Sequence, residues 1–150
     1  MSETIETEQI DILEILRLLP HRYPFVLIDR ILSITADQEI TALKNVTINE
    51  HFFQGHFPEK PVMPGVLMLE GMAQAGGVLA YYSEPENIGT KLLYFAGLDK
   101  VRFRNPVGPG DQLIYKLHLL KKKRGIQKLA AKAFVDDKLV AEAELMASFG

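Results

Sequence analysis

The sequence contains no cysteine. That excludes a disulfide framework, a thiolate nucleophile and thiolate metal ligation, and it is compatible with a reducing compartment. A surplus of either charge is also missing, because 17 basic against 19 acidic residues give a formal net charge of -2. Binding nucleic acid through an overall field needs a strongly basic surface, so no nucleic acid partner is expected and any electrostatic docking has to be local. The longest apolar stretch, Val62 to Tyr82, is interrupted by Pro64, Glu70 and several glycines. A spanning helix needs about 20 predominantly apolar residues, so no membrane insertion is expected. The opening MSETIETEQI is polar and acidic, does not read as a secretory leader, and leaves the cytoplasm as the expected location. Serine is scarce: Ser2, Ser33, Ser83 and Ser148 are the four, and none sits in a Gly-x-Ser-x-Gly turn, which removes serine hydrolase chemistry. Gly108-Pro109-Gly110 lacks the spacing of a phosphate loop. His51 and His56 have no cysteine or third ligand nearby, so neither a metal nor a cofactor is expected.

What is present suffices for one compact domain with a core: 150 residues, of which 47% are hydrophobic. Residues 1–9 are read as a flexible tail and 10–150 as a single domain. Ile12, Ile15, Leu16 and Leu19 recur at helical spacing, and Pro20 stops that helix. Val26 to Thr35 and Glu39 to Val46 have strand character on either side of a turn at Ala36-Asp37-Gln38. Asn49 to Met63 crowds glycine, proline, histidine and phenylalanine without a period and is expected to be a shaped loop. Pro64 suits the first turn of a helix that runs on from Gly65 to about Tyr82 and is apolar on nearly every face. Strands follow at Leu92 to Phe103, Asp111 to Lys123, Gln127 to Asp136 and Leu139 to Ser148, with Arg124-Gly125 and Asp136-Asp137 as turns. One all-round apolar helix followed by four antiparallel strands implies an α+β architecture, a curved sheet wrapped around the helix. Gly71, Gly76 and Gly77 each cost about 1 kcal/mol relative to alanine inside a helix. Two readings of them stand: close approach by a neighbouring element, or room for a substrate.

Glu70 is the only acidic or basic side chain in the buried helix that is charged at neutral pH when free in water. Charging a carboxyl in an apolar setting is expensive, so it is expected to spend part of its time protonated, as a general acid requires. The competing reading is a structural carboxylate satisfied by backbone or by Gln74 one turn later. His56, in Gly55-His56-Phe57-Pro58, is placed to act as a base that Phe57 shields from water; a loop histidine also serves as plain polar surface. Between the two lies the helix start, where the Gly65 N–H has no intrahelical acceptor and can hold a carbonyl oxygen as negative charge develops. A base, an acid and an oxyanion donor are the minimum for removing a proton beside a carbonyl while a β-hydroxyl leaves. The loop from Phe57 to Met63 extends to roughly 20 Å and the helix rises about 9 Å from Pro64 to Glu70, so one chain or two could supply the pair.

The run His56-Phe57-Pro58-Glu59-Lys60-Pro61-Val62-Met63-Pro64-Gly65-Val66-Leu67-Met68-Leu69-Glu70-Gly71-Met72-Ala73-Gln74 closely resembles the signature of bacterial 3-hydroxyacyl-[acyl-carrier-protein] dehydratases of fatty acid synthesis. Leu19-Pro20-His21-Arg22-Tyr23-Pro24-Phe25 with Asp29-Arg30, and Phe103-Arg104-Asn105-Pro106-Val107-Gly108-Pro109-Gly110-Asp111, carry the same resemblance. It implies a hot-dog fold, dimers assembled into a hexamer, and an active site at the dimer interface. His56 would take the C2 proton and Glu70 of the other chain would protonate the leaving C3 hydroxyl. Gly65 N–H would bind the thioester carbonyl, Val62 C=O would orient His56, and Gln74 would orient Glu70. The partner implied is acyl carrier protein bearing a 3-hydroxyacyl phosphopantetheine thioester. Glu70 stands where the related dehydratase-isomerase has aspartate, which favours dehydration without isomerisation. Gly71 replaces the alanine expected there.

Lys121-Lys122-Lys123-Arg124 reads as a solvated hairpin end. Lys100, Arg102 and Arg104 put alternating positive charge on another strand and are the candidates for carrier docking. His21 and Arg22 are expected to fix a turn against the core rather than to border the substrate mouth. The rival functions are a thioesterase on the same fold and a non-catalytic acyl-thioester-binding module. Neither needs both His56 and Glu70.

Overall fold

The computed structural model describes residues 10–150 and the backbone of residues 4–6. Its strands are β1 (Thr4–Glu6), β2 (Arg30–Thr35), β3 (Glu39–Asn45), β4 (Leu93–Phe103), β5 (Gln112–Lys123), β6 (Ile126–Val135) and β7 (Lys138–Phe149). They form one antiparallel sheet in the order β1-β2-β3-β5-β6-β7-β4. Two α-helices, α1 (Ile12–Leu18) and α2 (Gly65–Ser83), complete the α+β architecture, with single 3₁₀ turns at His51–Gln54 and Pro85–Asn87.

The β5–β6 and β6–β7 hairpins turn where the sequence places them. Arg124 and Gly125 both have positive φ, as do Asp136 and Asp137, the geometry of the tight turns that match strand twist. Within the stretch 1–9 read as a tail, Thr4–Glu6 pair with Thr35 to Ser33. The outer edge of β2 otherwise presents a row of unpaired backbone groups, and this short segment satisfies them. Residues 1–3 and 7–9 lie outside the described residues. β2 begins later than its apolar pattern suggests, because Leu27 N–H donates to the Gln74 side chain and not to a strand.

Asp11 caps α1 by accepting from Glu14 N–H. At the other end Arg22 donates to the carbonyls of Leu16, Leu19 and His21, so the turn-fixing role expected of it holds. α2 starts at Gly65 with Pro64 as its N-cap, one residue from the sequence reading and within the ordinary uncertainty of a helix boundary.

α2 packs on the inner face of the sheet against β3, β4, β5, β6 and β7. The sheet admits it because a row across the strands reads Ala42, Tyr115, Ala133, Ala141, Phe103. Ala133 and Ala141 leave space between the two rings, and each ring meets a glycine of the helix. A Cβ on Gly71 would collide with the Tyr115 hydroxyl, and one on Gly65 would come within 2.7 Å of the Phe103 ring. For Gly71, then, close approach by the sheet is the correct reading of the two, and the hydroxyl fills the space that an alanine methyl would occupy. Tyr115 is fully buried and its hydroxyl has no hydrogen-bond partner among the described residues. Burial pushes its pKa far above the ordinary phenol value, so it stays protonated.

Gly71→Ala is therefore expected to destabilise the protein by about 1–3 kcal/mol through overpacking. Gly71→Ala/Tyr115→Phe, which removes the colliding oxygen, is expected to recover most of that loss. Urea denaturation of the parent, both single variants and the double variant measures the coupling; an equal loss with and without the hydroxyl would contradict the contact.

Candidate active site

The loop before α2 carries His56 and is tied at both ends. Phe53 is buried in the core, and the Phe52 carbonyl accepts from Gly55 and His56 N–H at 3.3 and 3.1 Å. Beyond it, Val62 N–H donates to the His56 carbonyl at 2.9 Å and Met63 N–H to Val107 at 2.7 Å. The His56 ring is fixed within this frame: Nδ1 lies 2.6 Å from the Val62 carbonyl oxygen, and the Phe57 ring stacks on it with centroids 4.1 Å apart. A carbonyl only accepts, so Nδ1 carries the proton and Nε2 keeps its lone pair. That is the tautomer of a general base.

His56 lines a cavity of about 520 Å³ with Val62, Gly65, Met68, Phe103 and Asn105 among its neighbours. The amides of Leu67 and Met68 bond to the Pro64 carbonyl at 2.9 and 3.4 Å, so those of Gly65 and Val66 precede the first intrahelical acceptor. Their free donors and the positive end of the helix dipole sit at the cavity wall. The absence of a side chain at Gly65 also lets the Phe103 ring close over the helix start.

Glu70 faces a different opening, of about 430 Å³, lined with Val66, Leu69, Ala73 and the β4 residues Phe95 to Leu98. Its side chain is 29% exposed, so within one chain it is not encased as the apolar helix suggested; it lies on the flank of α2 that meets the open edge of the sheet. Nor is it unpartnered. Gln74, itself 1% exposed, accepts from Leu27 N–H with its carbonyl oxygen at 2.8 Å. Its amide nitrogen is thereby directed to the Phe25 carbonyl at 2.7 Å and to Glu70 Oε2 at 3.1 Å. Since the amide nitrogen can only donate, Glu70 accepts at Oε2.

The resemblance pairs His56 with Val62 and Glu70 with Gln74, and the structure makes both contacts. The sequence reading underrates His21, whose Nε2 lies 3.6 Å from Glu70 Oε2 and whose buried Nδ1 has no hydrogen-bond partner among the described residues. No local pattern announces that contact. The one usable signal is that a buried amide at Gln74 must find partners, which draws the 25–27 backbone, and His21 with it, onto α2. The docking candidates are placed less favourably: Lys100 pairs with Glu144 at 3.4 Å and Arg104 with Glu142 at 2.6 Å. Lys100 also has positive φ at a register shift in β4, which interrupts the expected alternation. Arg102 contacts only its neighbour's carbonyl among the hydrogen bonds and ion pairs of the described residues.

A family model described as a FabA-like domain matches residues 19–144. The chain is 64% identical to a 3-hydroxyacyl-[acyl-carrier-protein] dehydratase FabZ of Desulfotalea psychrophila, over 99% of both chains. It is 60% identical to the FabZ dehydratase of Syntrophobacter fumaroxidans, over 93% of this chain and 94% of that one. The chain belongs to the FabA-like family. Among solved structures, the dehydratase heterocomplex ApeI:P from Xenorhabdus doucetiae matches with a TM-score of 0.75 at 20% identity, over 89% of each chain. A hypothetical thioesterase with coenzyme A from Streptococcus pneumoniae TIGR4 matches with a TM-score of 0.58 at 9% identity, over 77% of this chain and 80% of that one. These two likenesses carry the hot-dog fold alone. Within the FabA-like family, the choice among chemistries has to come from residues 56 to 74. No helix among the described residues is long and apolar enough to cross a membrane.

Proposed function

We propose that this chain dehydrates a (3R)-hydroxyacyl group carried on acyl carrier protein to the trans-2-enoyl thioester; its relatives at 64% and 60% identity are named 3-hydroxyacyl-[acyl-carrier-protein] dehydratases. The observation that carries the proposal is the His56 ring, held by Val62 with Nε2 free beside the first turn of α2. His56 Nε2 takes the C2 proton. The Gly65 N–H donates to the thioester oxygen as negative charge develops there; a single such donor is worth about 3–4 kcal/mol of barrier. Glu70, entering the step protonated and oriented by Gln74, gives its proton to the C3 hydroxyl, which leaves as water. A proton passed back from His56 to Glu70 restores the starting state. Each positioned acid or base contributes on the order of 10²–10⁴ in rate. None of these steps calls on a metal or an organic cofactor.

Two chains share each site in this reading. His56 and Glu70 face separate openings, with Val66, 66% exposed, on the wall of both. β4 is the last strand of the sheet and exposes Tyr94, Phe95, Leu98 and Phe103, an apolar edge of the kind that marks an interface. In an antiparallel two-fold pairing of two β4 strands centred near Asp99, Phe103 of one copy comes opposite Phe95 of the other. Phe103 borders the His56 cavity and Phe95 the Glu70 opening, so this pairing joins the base of one copy to the acid of the next. Tyr23, Phe25, Ile48 and Phe57 remain exposed elsewhere and are suited to assembling dimers into a hexamer in the cytoplasm. The carrier docks at Arg102, the basic residue of β4 that pairs with no carboxylate among the described residues.

His56→Ala and Glu70→Gln are each expected to lower hydration of a trans-2-enoyl thioester, the reverse reaction, by at least about 10²-fold, with folding and assembly unchanged. Absorbance of the conjugated thioester measures this, and near-native turnover by either variant would remove the proposed roles. Arg102→Glu is expected to raise KM for the carrier-linked substrate at low salt and to leave a small thioester without carrier unaffected; an unchanged KM would place the carrier elsewhere.

A further inference from the structure

Lys44 is 3% exposed, and no other lysine or arginine among the described residues is buried. The alternation of β3 puts it on the inner face after Ile40 and Ala42, opposite the buried Leu113 of β5. Its ammonium donates to Glu50 Oε2 at 2.9 Å and to the Asn45 carbonyl at 3.3 Å. The same Glu50 oxygen accepts from Thr47 N–H at 3.3 Å. Glu50 is the N-cap residue of the 3₁₀ turn His51–Gln54, yet its carboxylate makes no cap bond to that turn because it is directed at Lys44.

From Glu50 a short chain of bonds leads to His56. The Glu50 carbonyl accepts from Phe53 N–H at 3.2 Å, and the Phe52 carbonyl accepts from His56 N–H at 3.1 Å. On the sheet side the end of β3 is held firmly: Asp29 Oδ2 accepts from Asn45 N–H at 2.7 Å, and Val46 exchanges backbone bonds with Gly110 and Asp111. A buried ion pair adds little stability over well-packed apolar side chains of the same volume, and its best-attested use is to fix register. Burial of Phe53 sets how deeply the turn sits. It does not set rotation of the turn about that ring, whereas a directional ammonium–carboxylate bond does.

We infer that the ion pair between buried Lys44 and half-buried Glu50 is a positioning device for His56, fixing the turn that places the imidazole beside the first turn of α2. The inference rests on the reading of His56 as the base.

Two variants test it: Glu50→Asp, which keeps both charges but shortens the arm, and Lys44→Met/Glu50→Gln, which removes both charges together. Enoyl thioester hydration, thermal midpoint and the His56 Nδ1–H proton resonance, assigned by its loss in His56→Ala, are measured for each. Displacement of a reacting group by about 1 Å costs on the order of 10²-fold, so kcat is expected to fall by 10- to 100-fold or roughly that, with KM within about threefold and the resonance shifted or broadened. Parental kcat and an unmoved resonance in a folded variant would reduce the pair to a structural element and overturn the inference. Should the double variant not assemble, Glu50→Asp decides by the same readouts. His56→Ala separates the two levels: if it is inactive while Glu50→Asp turns over normally, only the positioning role fails, and if it keeps near-native turnover the reading of the base itself fails.

Discussion

The constraint on which this protein depends is the burial of a nineteen-residue helix on one face of a sheet. A helix without a polar face has to be surrounded, and the row Ala42, Tyr115, Ala133, Ala141, Phe103 supplies a floor shaped to receive it. Once α2 lies there, its first turn is fixed beside the loop that carries His56. Glu70 is then committed to the flank facing β4. The chemistry thus inherits its geometry from packing that has no chemical role.

Polar groups that burial would otherwise leave unsatisfied are used to set direction. Gln74 is the clearest case: its oxygen takes Leu27 N–H and its nitrogen serves both the Phe25 carbonyl and Glu70. One buried amide anchors an irregular segment and orients a carboxyl group. The His56 ring is set by the same logic, since a carbonyl that only accepts dictates which nitrogen is protonated. Leaving such a group unpaired in the interior costs about 1–3 kcal/mol, so these orientations are held firmly.

Much of this was legible in the sequence, for reasons that differ by element. The hairpins at Arg124-Gly125 and Asp136-Asp137 were readable because left-handed turn residues stand between alternating strands. α2 was readable from its apolar circumference, and the Glu70–Gln74 contact from one-turn spacing. The short strand at Thr4–Glu6 was not, because its partner lies about thirty residues away and three residues carry no period. Neither was the approach of His21 to Glu70, a tertiary contact with no local signature, nor the burial of Lys44, whose residue type argues for solvent. Gly71 was noticed as a departure from an expected alanine, but its cause, a tyrosine hydroxyl from β5, needed coordinates.

The central claim is that each chain offers two half-sites, a base at one opening and an acid at another, and that a second chain completes both. Mixing inactive His56→Ala protomers with inactive Glu70→Gln protomers under conditions that exchange subunits tests it most directly. If the halves are shared, every mixed dimer holds one site with both native groups, and roughly a quarter of parental activity returns at random equal mixing. If the mixture stays as inactive as its components while mixed assemblies demonstrably form, the two groups act within one chain and the account is wrong.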